Sequence, residues 1–425
     1  MRRLLLLAVS VFLWTPPAEA TVQVALGRLT TLAAAATRYF CWFGSSSANA
    51  TETARIELAG ANATLTHLLV STTAAPGAGT SWTFTLRKNG AGTIISCVIA
   101  DTATTCEDKD STVSVSPGDR INYEVVATGA TAAADASAAI LYIGTTANQV
   151  TLSGGTAGTS LPTTGITYFP IPNVDAPATP QTVYNAILPM AGTLSGFYTQ
   201  LSGAPDNGAG TQTYTFRVQV NATNTGITCA ISEAATTCND LVNTFAVATG
   251  DLIEMEAEVT SGTPTARRAG VGLLFTTTDN RVFPLIFNDG SSLSATTTEY
   301  TFLQSSSVGW GTPETNRTEI VHPMRITELY ADTTVAPANG AGTQSFTLTL
   351  RRNQADMPLS CTMSETDTSC SATGASMVFD RSDTGTTKIV PAGTPAVTGT
   401  LVVSYVAQIG ELFLNGATLN GFTGP

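Results

Sequence analysis

Residues 81–89, SWTFTLRKN, alternate large apolar side chains at Trp82, Phe84 and Leu86 with small or charged neighbours. A period of two predicts a strand with one face in a core. The alternation recurs at Tyr214, Phe216 and Val218 in TYTFRVQV, and at Phe346, Leu348 and Leu350 in SFTLTLRR. RINYEVVAT, LIEMEAEVT and TLVVSYVAQ also read as strands, separated by turns of Gly, Pro, Asn and Asp. No window beyond the first residues offers a capped amphipathic helix. Short strands without helices predict an all-β, antiparallel sandwich.

The pattern is written three times. Gly77-Ala-Gly-Thr80 is echoed by Gly208-Ala-Gly-Thr211 and Gly340-Ala-Gly-Thr343. Downstream, Asn89, Cys97, Cys106 and Asp119 set a spacing of N-x7-C-x8-C-x12-D. Asn221, Cys229, Cys238 and Asp251 keep it, as do Asn353, Cys361, Cys370 and Asp383, at a period of 132 residues. TRYF at 37–40 matches ITYF at 166–169 and TEYT at 298–301, and ILYIGTTANQV parallels GLLFTTTDNRV. Four positions in register across three copies mark a tandem repeat. The expected units are 21–147, 148–279 and 280–410, which suits a chain of 425 residues. Residues 411–425 remain, and Glu411 to Gly416 resemble VFPLIFNDG, the opening of the third unit.

Trp82-Thr-Phe84, Asn89 and Gly118-Asp119 resemble the C1q/TNF-like jelly-roll, as do Tyr214-Thr-Phe216, Asn221 and Gly250-Asp251. The third copy has Ser382-Asp383 in place of Gly-Asp. The resemblance covers about half of each unit. It implies ten-stranded sandwiches, a trimeric habit and binding of other molecules, and it implies no catalytic residue.

The paired cysteines fit a disulfide framework. In an antiparallel hairpin, residues nine apart face each other within bridging distance. SCVIADTATTC, TCAISEAATTC and SCTMSETDTSC each read as strand, polar turn, strand. The expected bridges are therefore Cys97–Cys106, Cys229–Cys238 and Cys361–Cys370. Structural zinc favours closer cysteine pairs with four ligands, and the chain holds only two histidines. Cys41, in YFCWFG, has no partner in this scheme and reads as a buried thiol among aromatics.

The chain opens MRRLLLLAVSVFLWTPPAEA, with Arg2 and Arg3, a short apolar run and Ala18-Glu19-Ala20. That is the layout of a secretory signal peptide over residues 1–20. Its apolar run is too short to cross a bilayer, and no later run suffices, so no transmembrane segment is expected in the mature chain. Loss of the leader shifts the net charge from −12 to about −13. An acidic surface excludes nucleic acid as a partner.

No nucleophile elbow, zinc-protease, P-loop or dinucleotide motif is present. His67 and His322 occupy non-equivalent places among apolar residues and read as packed histidines. Glu107, Asp108 and Asp110 have no full counterpart in the other copies, so a solvated turn is expected there rather than a calcium loop. Asp119, Asp251 and Asp383 are expected to cap turns. Asn49, Asn62, Asn221 and Asn316 are chance sequons of a Thr-rich chain. No metal, cofactor or catalytic residue is assigned.

These features point first to a secreted, non-enzymatic structural or surface protein, a subunit of an extracellular assembly. A multivalent lectin-like or receptor-binding module is the alternative, with a glycan or surface ligand. A glycan-active enzyme working through paired carboxylates is the third reading. Self-association is expected through the terminal strands or as a trimer. The strand at Val22–Leu26 is expected first to fold back within its own unit. The alternative, an opening strand closing the domain before it, would leave it available to another subunit, and the three units are open to a rod or a compact pseudo-threefold arrangement.

Overall fold

The computed structural model describes residues 20–409, apart from 33–35, 130, 180, 182–184, 280–281, 306–308, 339–342, 382 and 397–399. Residues 1–19 of the expected leader and the expected strand after residue 410 lie outside them. In the first unit eight strands carry the fold: Val22–Thr30, Thr37–Phe40, Ala63–Thr72, Gly77–Lys88, Ala91–Asp101, Thr105–Val115, Ile121–Thr128 and Ala136–Gly144. Counted in chain order, one sheet runs first, eighth, third, sixth, and the other runs second, seventh, fourth, fifth. The sheets spanning 149–277 and 282–408 repeat both orders. This strand order is a jelly roll, two interlocked Greek keys. The described residues contain no α-helix; short 3-10 turns stand at Glu52–Ala54 and Glu314–Asn316. Strands beyond the common eight are short additions such as Gly44–Ser47.

The period-two residues form the sandwich interiors. Trp82, Phe84 and Leu86 are fully buried, as are Phe216 and Val218, and Leu348 and Leu350. The first and eighth strands differ. Ala25 and Leu29 point into the first sandwich, whereas Val24 and Leu26 join a core shared with the second and third units. These strands are buried on both faces, so their sequences run apolar without alternation, as in ASAAILYIG and TLVVSYVAQ.

Two expectations need correction. No opening strand closes the domain before it: Val22 pairs with Ile143, Val150 with Phe275 and Val282 with Gln408, each within its own unit. A jelly roll wraps the two ends of one unit side by side, so the eighth strand is already the neighbour. Val22–Thr30 folds back within the first unit, as first expected, and Gly44–Ser47 takes its other edge over Gly27–Thr30. The disulfides form as paired in sequence, but their strands are not ladder partners. Cys97 lies opposite Phe84 in one sheet and Cys106 opposite Val70 in the other. The intervening turn crosses between layers, and each bridge ties sheet to sheet with Cα atoms 5.7–5.8 Å apart.

The three units close a ring. Ahead of its third strand, each unit sends one segment against the first and eighth strands of the next. Leu58, Ile187 and Ile320 mark the equivalent point, opposite Arg120, Leu252 and Thr384 respectively. The first unit meets the second where Gln23 exchanges two hydrogen bonds with the Thr151 backbone and Gly60 N donates to Thr151 Oγ1 at 2.7 Å. Ala186–Ile187 packs on the first, third and eighth strands of the third unit. The third unit returns to the first, where Leu26 N donates to Gln304 Oε1 and Arg28 stacks 4.1 Å from the Phe302 ring. Asn173 joins the second and third units, its amide donating to the Ile286 carbonyl at 2.8 Å.

Candidate functional site at the unit junctions

The repeat motif has a structural explanation. Asn89 Nδ2 donates to Asp119 Oδ1, and its Oδ1 accepts Arg120 N. Asp119 Oδ2 meanwhile accepts Ser116 N, which closes the turn. Asn221 with Asp251 and Asn353 with Asp383 repeat the arrangement. The three asparagines have φ of 50–52°, a left-handed conformation that asparagine tolerates better than most residues. The engaged amide also leaves the Asn221 sequon as part of a turn. Asp108 accepts from the backbone of Ser96, Asp110 and Ser111, and Glu107 pairs with Arg381 of the third unit. Among the described residues, no cluster of three or more metal-ligating side chains is found.

Two buried carboxyl groups lie in the junction segments. Glu57 Oε2 accepts Trp42 N at 2.8 Å and Phe43 N at 3.4 Å. Glu319, its equivalent in the third unit, accepts Leu303 N at 2.8 Å and Gln304 N at 3.2 Å. Burial pushes both carboxyls up to about 8. The second unit carries Ala186 at this place, and Pro172, without an N–H, at one of the two donor places. Acceptor and donor are lost together. Glu254 is a third buried carboxyl, on the outer face of the second unit, also raised by burial to about 8.

The two histidines, 255 residues apart, meet at the junction of the third and first units: His322 Nε2 donates to the His67 carbonyl at 2.6 Å. Burial lowers His322 to about 4, which keeps the imidazole neutral near pH 7. Cys41 is buried and outside any disulfide. Neither histidine was expected at a junction. The clue was the uninterrupted apolar character of the flanking first and eighth strands.

Beside this junction lies a cleft of about 190 Å³. Its first-unit wall carries Arg28, Ser71 and Asp135, and its third-unit wall Thr315, Ile320 and Gln354. Arg28 Nη2 binds Asp135 Oδ2 at 3.0 Å and Nη1 binds Ser137 Oγ at 3.3 Å. Burial lowers the Arg28 guanidinium, with Asp135 acting against it. Nothing in the sequence reading assigned Arg28 or Asp135; only the ring brings the walls together.

No protein-family model matches the chain, and no curated protein matches it. Among solved structures it is similar to one described as "The Triple Jelly Roll Fold and Turret Assembly in an Archaeal Virus". The likeness has 11% identity, covers 82% of this chain and 79% of that one, and has a TM-score of 0.15. The jelly-roll assignment rests on the strand order itself.

Proposed function

We propose that the chain is a secreted, non-enzymatic structural or surface protein, and that it is a building block of an extracellular assembly. The observation that carries this reading is the ring: three jelly rolls, each stapled sheet to sheet, closed on one another within one chain. Such a block has a shared core at every junction and presents three related outer faces for repeated contacts. The trimeric habit implied by the C1q/TNF-like resemblance supports the same reading, with one chain in place of three.

Export is part of the proposal. Three disulfides suit an oxidising compartment, and among the described residues no helix is long and apolar enough to cross a membrane. Thr21 is already folded in, its carbonyl accepting Gly144 N at 2.8 Å, which fits a mature chain beginning at Thr21. N-terminal sequencing of the secreted protein, joined to negative-stain microscopy of native cell surfaces and light scattering, tests the reading. The expected result is a Thr21 terminus and a regular multi-copy assembly. A retained Met1, or a strictly monomeric particle at the native surface, overturns it.

A further inference from the structure

The cleft opens where one junction departs from its counterpart. Where the first unit meets the second, Gly155 and Gly270 of the second unit admit the backbone of Ile56. A Cβ at Gly270 would stand 2.3 Å from the Ile56 oxygen and 2.5 Å from its Cγ2. Where the third unit meets the first, those two places hold Arg28 and Ser137, and Thr318 replaces Ile56. A guanidinium and a hydroxyl hold the walls apart, and the shorter threonine does not fill the gap. The space then opens to solvent past Thr315 and Gln354, both exposed.

Its chemistry is specific. Arg28 and Asp135 are paired, so the lining carries no net charge to draw an ion. Ser71, Thr315 and Gln354 line the space, their side chains make no hydrogen bond among the described residues, and they offer both donors and acceptors. Ile320 supplies an apolar floor. The volume falls below the roughly 300–1,000 Å³ of sites for larger organic ligands, a size that suits one small ring. We propose that this cleft binds a neutral, hydroxyl-rich ligand about the size of one pyranose ring, as a free sugar or the terminal residue of a glycan. The site follows from the difference between these two junctions, independently of the assembly role.

Saturation-transfer NMR on the full secreted chain tests it. The probes are methyl glycosides of glucose, galactose, mannose and N-acetylglucosamine, with oligosaccharides ending in the same residues. At least one neutral probe should bind, with half-saturation at about 1–10 mM. A response from monosaccharides assigns the free-sugar source, and one confined to oligosaccharides assigns the glycan terminus. The double variant Thr315→Ala/Gln354→Gly should weaken binding at least about fivefold, the lost hydrogen bonds corresponding to roughly 1 kcal/mol. Glycine suits the φ of 64° at residue 354 and already stands at the equivalent position 90. Thr53→Ala, the equivalent of Thr315 at the filled junction, should leave binding unchanged, and thermal melts establish that both variants are folded. The proposal is wrong if no neutral probe responds up to about 20 mM, if the double variant binds as the wild type does, or if methyl sialoside, or inorganic phosphate read by phosphorus NMR line broadening, binds in preference to every neutral probe.

Discussion

At the residue scale, internal repetition acts as a set of controlled substitutions. The Asn–Asp pair recurs because each member completes the other: the left-handed asparagine needs an acceptor for its amide, and the aspartate needs a donor for its second oxygen. The carboxylates at 57 and 319 recur only where two backbone N–H groups face them. Their titration has a definite sign. With a folded pKa near 8 and an unfolded value near 4.5, each group binds its proton more tightly in the native state. Its contribution to stability is full below about pH 4.5, declines as pH rises, and is lost above about pH 8, by at most about 1.4 kcal/mol per pH unit. His322, held near 4, acts oppositely and costs stability as pH falls below about 6.5. Glu57→Gln keeps an oxygen for the Trp42 and Phe43 amides and removes the charge. Its stability relative to wild type should rise by about 2–4 kcal/mol between pH 5 and pH 8, read from denaturant melts at each pH. The difference cancels the histidine contribution, and a flat difference would mean that Glu57 titrates normally.

At the element scale, the strands and staples were legible because both are local. Trp82, Phe84 and Leu86 declare a strand within nine residues, and a cysteine spacing of nine fixes its partner without knowledge of the fold. Which strands pair was not legible. The fifth and sixth strands look like a hairpin, yet they lie in different sheets, because a jelly roll sends the chain across its layers at that turn. The consequence is testable. Each bridge closes a short loop and should contribute about 2–3 kcal/mol in the entropic account, and it also pins one sheet to the other. Cys229→Ser with Cys238→Ser should lower stability by about that much while far-ultraviolet circular dichroism still reports β structure, since each sheet keeps its own ladder. Nonreducing peptide mapping of the wild type should return Cys97–Cys106, Cys229–Cys238 and Cys361–Cys370, and a bridge between units would refute this layout.

At the scale of the whole molecule, the resemblance left a rod and a compact pseudo-threefold arrangement open, and the residues that close the ring were hidden from the sequence for a physical reason. Its contacts are made by segments that look like loops, Arg55–Gly60 and its equivalents, and by strands whose second buried face reads only as extra hydrophobicity. The cleft followed the same logic: Arg28 and Ser137 matter because Gly155 and Gly270 stand elsewhere in their place. Closure makes a further demand. Five residues, 144–148, join Ile143 to Gln149, and five, 277–281, join Thr276 to Val282, each link carrying the chain from one eighth strand to the next first strand. If the third unit stands to the first as the first stands to the second, five residues must also suffice between Gln408 and Val22. Such a link reaches at most about 20 Å, far too short for three units in a rod. A circular permutant that begins at Gln149, runs through Gln408, crosses five residues to Val22 and ends at Asn148 should therefore fold to a single-chain particle. Its hydrodynamic radius should equal that of wild type with the terminal segments removed, since the new ends fall in the surface turn after Gly144. Chains that instead exchange units with one another, seen as dimers or larger species by light scattering at every concentration, would mean that the third and first units do not meet as described.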